Sequence, residues 1–356
     1  MSIKATLGYY LKAMPKYTSI ILLSFVLIAF SSYAQRIETL QQGNPTSIRG
    51  LSVVDDNTAW ISGSKGNIAI TTDGGKTWNW QQVKGFEKAD FRDIEAFSDK
   101  EAIIMSSGTP ALILKTTNGG VNWQVKYKNT DTSYFLDAMD FSDKQHGYVL
   151  GDPINNKFVL LETKDGGETW NPFKDPPVAL PGEAAFAASG TCLKVVDKNT
   201  ITIVTGGTHS RDLTWVQNIN TVDEWSYIDL PFSNKKQSEG IFSYACNDKA
   251  TVYVGGDYTN DKRPDSTAMY WQSDGSHVGG PVHLSKSPPA GFQSCVEYIS
   301  GNTFLSTGTP GSNITTNGGQ TWTKIDATSY NVCRKAKHGK LVLLAGNGGK
   351  IGIFKL

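Results

Sequence analysis

The stretch Thr71-Thr-Asp73-Gly-Gly75-Lys-Thr77-Trp78 decides the fold, because the chain repeats its pattern three more times. The other copies are Thr116-Thr-Asn118-Gly-Gly120-Val-Asn122-Trp123, Thr163-Lys-Asp165-Gly-Gly167-Glu-Thr169-Trp170 and Thr315-Thr-Asn317-Gly-Gly319-Gln-Thr321-Trp322. An Asp or Asn before two glycines suits a tight hairpin turn, because the side chain bonds to nearby amides and glycine accepts a positive φ. The tryptophan then packs its ring back onto the hairpin. A repeated strand–turn–strand unit predicts one supersecondary element stacked several times.

The spacing of the tryptophans predicts the number of units. Trp78 and Trp123 are 45 residues apart, and Trp123 and Trp170 are 47 apart. The next 152 residues, up to Trp322, make roughly three periods. Two further units with degenerate turns therefore lie between them, at residues 220–225 and 272–275.

Each unit is predicted to contain four strands, which in the first unit cover residues 47–54, 59–63, 67–72 and 77–83. The later units begin near Phe91, Phe135, Ala185, Ile241, Phe292 and Tyr330. The last unit has three strands, and residues 36–42 supply its fourth. The sequence therefore predicts an all-β fold, a seven-bladed β-propeller of four-stranded blades in which an N-terminal strand completes the last blade.

The four turns resemble the Asp-box (BNR) repeat, S/T-x-D-x-G-x-T-W, of sialidases, sortilins and the photosystem II assembly-factor family. Two copies have Asn in place of Asp, and Asn122 replaces the threonine before the tryptophan. In these families the box is a structural turn. The resemblance therefore implies a structural role for Asp73, Gly75, Trp78, Asn118, Gly120, Trp123, Asp165, Gly167, Trp170, Asn317, Gly319 and Trp322.

Residues 35–356 as a whole look like the photosystem II assembly/stability factor-like family of exported bacterial proteins, and more distantly like sialidases and sortilins. The first resemblance implies a seven-bladed ring that docks onto membrane-protein partners through a charged face. The photosystem itself is not implied, since many such proteins occur in bacteria without photosynthesis.

The first 34 residues resemble an export signal. Lys4, Lys12 and Lys16 precede an apolar run over residues 20–30, and small residues follow up to Ala34. The run is too short to span a bilayer comfortably. We therefore predict a signal peptide over residues 1–34, a single propeller domain over residues 35–356, no membrane span after cleavage, and export to the periplasm or the extracellular space.

The charge balance argues against a nucleic-acid partner. Without the three lysines of the signal, the 34 basic residues fall to 31 against 33 acidic residues, a net charge of −2. The histidines lack zinc-site spacing, so we predict no metal and no cofactor, and we expect a monomer. Whether the four cysteines are buried thiols or form disulfides stays open; they are Cys192, Cys246, Cys295 and Cys333.

Charged residues cluster where the predicted innermost strands begin, on the face opposite the Asp boxes. Alignment of the units places Arg49, Arg92 and Arg334 at matched positions, and a guanidinium group can bind carboxylate or phosphate oxygens in pairs. The candidates for ligand or partner binding are Arg49, Arg92, Asp152, Arg211, Ser294 and Arg334. Alternatively, the arginines pair with Asp93, Glu95 and Asp137 in a network that ties the blades together.

Two functions remain open. The first is an exported, non-catalytic binding or assembly scaffold whose charged mouth docks a protein partner or an anionic ligand such as an anionic glycan. The alternative is a sialidase-like glycoside hydrolase acting on an anionic sugar, with Asp93 and Asp137 as the catalytic acids. Hydrolysis needs two carboxyl groups across an open pocket, whereas carboxyl groups buried against arginines would indicate a structural ring.

Overall fold

The computed structural model describes residues 35–217, 224–232, 235–273 and 281–355, in which all regular structure is β. Residues 36–355 group into one compact unit. The predicted signal peptide lies outside the described residues, as do residues 218–223 and 274–280 of the two degenerate turns.

The chain begins with strand β1 (Arg36–Gln41) and then builds its first three blades in sequence order. Blade 1 contains β2 (Ile48–Val53), β3 (Ala59–Gly63), β4 (Asn67–Thr71) and β5 (Asn79–Gln82). Blade 2 contains β6 (Asp90–Ala96), β7 (Ala102–Ser107), β8 (Ala111–Thr116) and β9 (Gln124–Asn129). Blade 3 contains β10 (Leu136–Phe141), β11 (Gly147–Ile154), β12 (Lys157–Thr163) and β13 (Asn171–Pro172).

The second half of the chain is interrupted by two short strands, β14 (Glu183–Ala184) and β17 (Gly206–Gly207), which extend the sheet of blade 5. Blade 4 contains β15 (Leu193–Asp197), β16 (Thr200–Val204), β18 (Arg211–Val216) and β19 (Glu224–Asp229). Blade 5 contains β20 (Glu239–Cys246), β21 (Ala250–Asp257), β22 (Ala268–Gln272) and β23 (His283–Leu284). Blade 6 contains β24 (Cys295–Ser300), β25 (Thr303–Gly308), β26 (Gly311–Thr315) and β27 (Thr323–Asp326).

Blade 7 closes the ring as predicted. It contains β28 (Val332–Lys335), β29 (Val342–Gly346) and β30 (Lys350–Lys355), and β1 pairs antiparallel with β30 as its outermost strand. The prediction of seven four-stranded blades is thereby confirmed. Pairing the two ends of the chain in one sheet removes the open edge that the last blade would otherwise present.

The predicted strand bounds are close in blade 1 but wrong at the start of blade 4. The second strand of blade 1 covers the predicted residues 59–63, and the other three strands are shorter at one or both ends. Blade 4 begins at Leu193 and not near Ala185. Residues 185–192 look like a strand because they are largely apolar, but the chain uses them to cross the channel, as described below.

Each Asp box is a closed network of hydrogen bonds. In blade 1, the hydroxyl of Thr71 accepts the amide of Gly75 at 2.9 Å and donates to Asp73 at 2.8 Å. Asp73 also accepts the amide and the hydroxyl of Thr77 at 2.9 and 2.6 Å. The box carboxylate is therefore engaged inside the turn.

The first glycine of each box fixes the box to its own blade. Its amide donates to a carbonyl in the turn between the first two strands, at 2.8 to 2.9 Å in all four blades. The donor and acceptor residues are Gly74 and Asn57, Gly119 and Lys100, Gly166 and Gln145, and Gly318 and Asn302. The boxes therefore share one face of the ring with these turns.

The second glycine and the tryptophan join each box to the preceding blade. Gly75 has a φ of +88°, and a Cβ added there would lie 3.1 Å from Leu40 of blade 7. In blade 2, Gly120 lies in the same way against Ile68 and Trp60 of blade 1, and the ring of Trp123 meets that of Trp60 edge to face at 6.3 Å. The glycine pair is thus required both for the backbone conformation and for the close contact between blades.

We predict that Asp73→Ala lowers the melting temperature of the protein by roughly 2–4 °C, because the amide and hydroxyl of Thr77 lose their acceptor. Asp73→Asn should be nearly neutral, because Asn118 and Asn317 accept the equivalent amides at 3.0 Å in blades 2 and 6. Thermal unfolding followed by circular dichroism measures both variants. Equal losses for the two would show that the charge of Asp73, and not its hydrogen bonding, stabilises the turn.

Candidate functional site

A β-bulge near the start of four innermost strands determines which side chains reach one end of the channel. The pairing register shifts at Arg49, Arg92, Asp137 and Phe242, in blades 1, 2, 3 and 5. A bulge inserts one extra residue and turns its side chain away from the regular alternation. We call this end, where the innermost strands begin, the entry mouth.

Residues 185–192, which we call the plug, lie across the entry mouth and are held by arginines from three blades. Arg92 donates to the carbonyl of Ala187 at 3.4 Å, and Arg49 donates to that of Ala188 at 3.4 Å. Arg334 donates to the carbonyl of Ser189 at 3.3 Å. All three bonds are long, so the guanidinium groups contact the plug without being saturated by it.

Gly190 allows the plug to lie deep in the channel. Its φ is +68°, and a Cβ added there would lie 2.1 Å from the Oδ2 atom of Asp93. At the other end of the plug, Asp152 accepts the amide of Ala185 at 3.2 Å. The plug is therefore anchored by side chains of both charges.

Arg49 and Arg92 are neighbours at the entry mouth, and only one of them has a close ion pair. The Nε atom of Arg92 donates to Asp90 at 2.7 Å, and its guanidinium lies 5.6 Å from the ring centroid of Phe135. Among the described residues, Arg49 makes no hydrogen bond other than the long one to Ala188. Burial and the charge of Arg92 lower the pKa of Arg49, and the nearby charge of Asp90 opposes them only in part.

A groove between blades 1 and 2 adjoins this arginine pair. It encloses about 660 Å³ and is lined by residues 85–90 and 106–110, with Leu112, Val125 and Lys128. Asp90, the partner of Arg92, lies in its lining. A chain occupying the groove would therefore come next to the arginines.

Two other predicted binding residues are engaged inside the protein. Arg211 forms a two-pronged ion pair with Glu183, at 2.8 and 2.5 Å, and donates to the carbonyl of Val178 at 2.8 Å. The hydroxyl of Ser294 lies between blades 6 and 7 and donates to the carbonyl of Asn331 at 2.7 Å. Both side chains are buried, so the structure does not bring them together with Arg49 and Arg92.

The two acids of the hydrolase hypothesis are also buried. Asp93 accepts the amides of Ile94 and Met139 at 2.8 Å each, and burial raises its pKa to about 7 against the opposing charge of Arg334. Burial raises the pKa of Asp137 well above its usual range, the nearby Asp152 adds to the effect, and Arg92 opposes it. Among the described residues neither acid forms an ion pair with an arginine, because Arg92 pairs with Asp90. Glu95 pairs with Lys337, so the predicted network of arginines with Asp93, Glu95 and Asp137 does not form.

A second cavity opens at the opposite end of the channel, on the face of the Asp boxes. It encloses about 500 Å³, and its lining reaches from Gly190 of the plug to the blade 3 turn at residues 142–144. We call it the box-side cavity. The sequence predicts binding residues on the face opposite the boxes and does not predict this cavity.

Arg334 belongs to this second cavity. It lines the box-side cavity together with Glu95 and Asp140, whereas Arg49 and Arg92 do not. The sequence alignment placed the three arginines at equivalent positions, but Arg334 is not equivalent to the other two. Arg49 and Arg92 are the extra residues of bulges near the start of their strands, whereas Arg334 lies in regular pairing farther along its strand. Sequence alignment alone does not show such a one-residue insertion.

Three further features of the described residues concern the cysteines, metal-ligand groups and membrane-spanning helices. All four cysteines are unpaired, and three of them are buried. Within residues 35–217, 224–232, 235–273 and 281–355, no group of three or more His, Cys, Asp or Glu residues is arranged to hold a metal ion. A helix long and apolar enough to cross a membrane is absent from the same residues.

Comparison with known proteins supports the resemblance inferred from the Asp boxes. Residues 34–130 match the family model described as photosynthesis system II assembly factor YCF48. The photosystem II assembly lipoprotein Ycf48 of Synechococcus sp. (strain CC9902) is 30% identical over 146 residues, which is 40% of this chain and 40% of that protein. The chain thus resembles the Ycf48 family in sequence, over a part of its length.

Solved structures show the same fold. The structure of YCF48 bound to D1 peptide has a TM-score of 0.62 and 14% identity, and the match covers 92% of this chain and 96% of that chain. YCF48 from Cyanidioschyzon merolae has a TM-score of 0.63 and 15% identity, over 90% and 98% of the two chains. The Pan2 WD40 domain of Neurospora crassa reaches 0.56 at 14% identity, over 90% and 95%, so the fold alone does not specify a function.

We predict that Arg211→Ala destabilises the protein by about 3–5 kcal/mol, because it leaves the buried carboxylate of Glu183 without its partner. The double variant Arg211→Met/Glu183→Gln should recover a large part of this loss. Urea unfolding of the three proteins measures the effect. A single variant as stable as the wild type would show that the ion pair has no structural role.

We predict that Asp140 makes folding less favourable as the pH rises from about 4 to about 6. Burial raises the pKa of Asp140 from 3.8 to about 6, so the folded state binds its proton more tightly than the unfolded state does. This contribution is fully present below about pH 4 and is lost as the pH passes 6. A single carboxyl group binds at most one proton, so the slope should stay below about 1.4 kcal/mol per pH unit.

The measurement is urea unfolding of the wild type and of Asp140→Asn at half-unit steps from pH 4.5 to 7. An asparagine can still accept the amide of Val195, which bonds to Asp140 at 2.6 Å. The variant should therefore show a flatter pH dependence, and parallel curves would contradict the prediction.

Proposed function

We propose that this chain is an exported, non-catalytic scaffold that binds a segment of a protein partner at the entry mouth. Arg49 and Arg92 would hold an acidic group of the partner, and the groove between blades 1 and 2 would hold the adjoining residues. The observation that carries this proposal is the unused hydrogen-bonding capacity of Arg49 beside Arg92, at the end of a groove of about 660 Å³.

The electrostatics favour an anion at this position. Two adjacent guanidinium groups share one nearby carboxylate, that of Asp90, and burial and mutual repulsion lower the pKa of Arg49. A carboxylate placed between them would relieve the repulsion and accept several N–H donors at once. The long bonds to the plug carbonyls leave those donors available.

The groove favours a polypeptide over a small anion. Its lining combines apolar side chains, such as Phe86, Leu112 and Val125, with the lysines Lys88 and Lys128. An extended segment with an acidic residue would use the groove and the arginines together. An anionic glycan, in contrast, would need only the arginines.

The similar proteins support a role in binding and assembly. One relative is named as an assembly lipoprotein, and one similar structure is of YCF48 with a bound D1 peptide. The signal-like residues 1–34 support export to the periplasm or beyond the cell. No observation favours the sialidase-like alternative, because Asp93 and Asp137 are buried rather than facing each other across an open pocket.

We predict that a photo-crosslinking amino acid at Lys88 captures a partner protein in intact cells, and that Arg49→Gln/Arg92→Gln reduces this capture at least tenfold. Lys88 is exposed and lines the groove. The same crosslinker at Lys164, which is 73% exposed and lies in the Asp box of blade 3 on the opposite face, is the control position. Mass spectrometry then identifies the captured protein and the crosslinked peptide.

The proposal requires an acidic residue in or next to the crosslinked peptide. Equal capture by the wild type and the double variant would contradict the role of the arginines, and capture only from Lys164 would contradict the choice of face. Arg92→Lys keeps the positive charge but loses the planar, two-pronged set of N–H donors. If the partner binds through paired oxygens, its capture by this variant should be intermediate between that of the wild type and that of the double variant. The melting temperature of each variant checks that the plug has not been lost.

A further inference from the structure

The box-side cavity has a ring of polar side chains that no part of the proposed function uses. Six innermost strands each contribute one such residue to its lining, and these are Ser52, Glu95, Asp140, Lys194, Glu297 and Arg334. The volume of about 500 Å³ lies within the range of small-molecule sites, and Gly190 of the plug lies in the same lining. The cavity is therefore a separate pocket on the channel axis.

The charges around this ring include both signs, and part of the ring is already neutralised. Lys337, farther along blade 7, forms an ion pair with Glu95 and donates to the carbonyl of Ala96 at 2.9 Å. Of the remaining members, Asp140 and Glu297 are acidic, and Lys194 and Arg334 are basic. The net charge of the ring is thus close to zero, but it contains two positive and two negative side chains.

The charged groups of two members of the ring make few polar contacts with the rest of the protein. Among the described residues, the ammonium group of Lys194 makes no hydrogen bond or ion pair, and its Nζ atom lies 5.9 Å from the ring centroid of Tyr244. The nearest charged partner of Glu297 is Arg334, at 4.0 Å. Their side chains come from blades 4 and 6, with blade 5 between them.

Neither a simple anion nor a simple cation suits such a ring. An anion placed between Lys194 and Arg334 would be repelled by Asp140 and Glu297, and a cation would be repelled by the two bases. A molecule that carries both charges a few ångströms apart would interact favourably with both pairs. Free α-amino acids have this distribution of charge.

We propose that the box-side cavity binds a free α-amino acid, with its carboxylate on Lys194 and Arg334 and its ammonium group on Glu297 and Asp140. The apolar residues Met139, Leu193 and Val195, also in the lining, provide space for an uncharged side chain. This site lies on the face opposite the entry mouth and does not rest on the proposed function, because it shares neither Arg49 nor Arg92 with it.

The test is isothermal titration calorimetry of the wild-type protein with three matched probes. L-leucine has both charges, L-leucinamide lacks the carboxylate, and N-acetyl-L-leucine lacks the ammonium group. We expect saturable binding of L-leucine and at least tenfold weaker binding of the other two. No saturable binding of L-leucine, glycine, L-glutamate or L-lysine would overturn the proposal, as would equal binding of the three leucine probes.

Variants assign the two charges to their residues. Glu297→Gln preserves side-chain length, and Lys194→Gln replaces the ammonium group with a shorter, neutral amide. Each should weaken L-leucine binding at least tenfold, whereas Lys164→Gln, exposed on the same face, should leave it unchanged. In Lys194→Gln the preference for L-leucine over L-leucinamide should disappear, because the carboxylate loses a partner. Retention of that preference in a folded Lys194→Gln protein would overturn the assignment of the residues.

Discussion

The contact between each Asp box and the blade before it is the constraint on which the ring depends. A propeller blade has two flat faces, and its stability comes from burying both of them against neighbours. The second glycine of the box lets the turn approach the preceding blade closely, and the tryptophan extends that contact, as Trp123 does against Trp60. The box is therefore both the end of one hairpin and the joint between two blades.

This joint leaves the channel to be shaped by the innermost strands. Bulges in blades 1 and 2 direct Arg49 and Arg92 to the entry mouth, whereas Arg334 reaches the box-side cavity. The plug lies between the entry mouth and the box-side cavity. Its carbonyls accept hydrogen bonds from Arg49 and Arg92, and its Gly190 lines the box-side cavity. One ring of blades thus presents two chemically different ends.

The sequence predicts the ring well because its evidence is repeated. Four boxes with constant offsets give the period, and the period with the short last unit gives seven blades and the closing strand. Local pattern cannot predict the plug, since residues 185–192 have the composition of a strand and differ from one only in their tertiary contacts. It also cannot detect a bulge, which shifts a side chain by one position without leaving a signature in residue type. The sequence therefore identifies the arginines as candidates, but only the structure shows that Arg49 and Arg92 lie at the entry mouth and Arg334 in the box-side cavity.

The pairing of β1 with β30 has a consequence for how the protein is made. Arg36 lies opposite Lys355, so the first strand of the ring pairs with its last strand, and all the other blades lie between them in sequence. Until then, β1 is an unpaired edge and the ring is open, since contacts at such sequence separation form late and slowly. Synthesis from the N-terminus delivers six blades before closure is possible. The newly made ring therefore passes through an open arc, in which the end blades still expose faces that the closed ring buries.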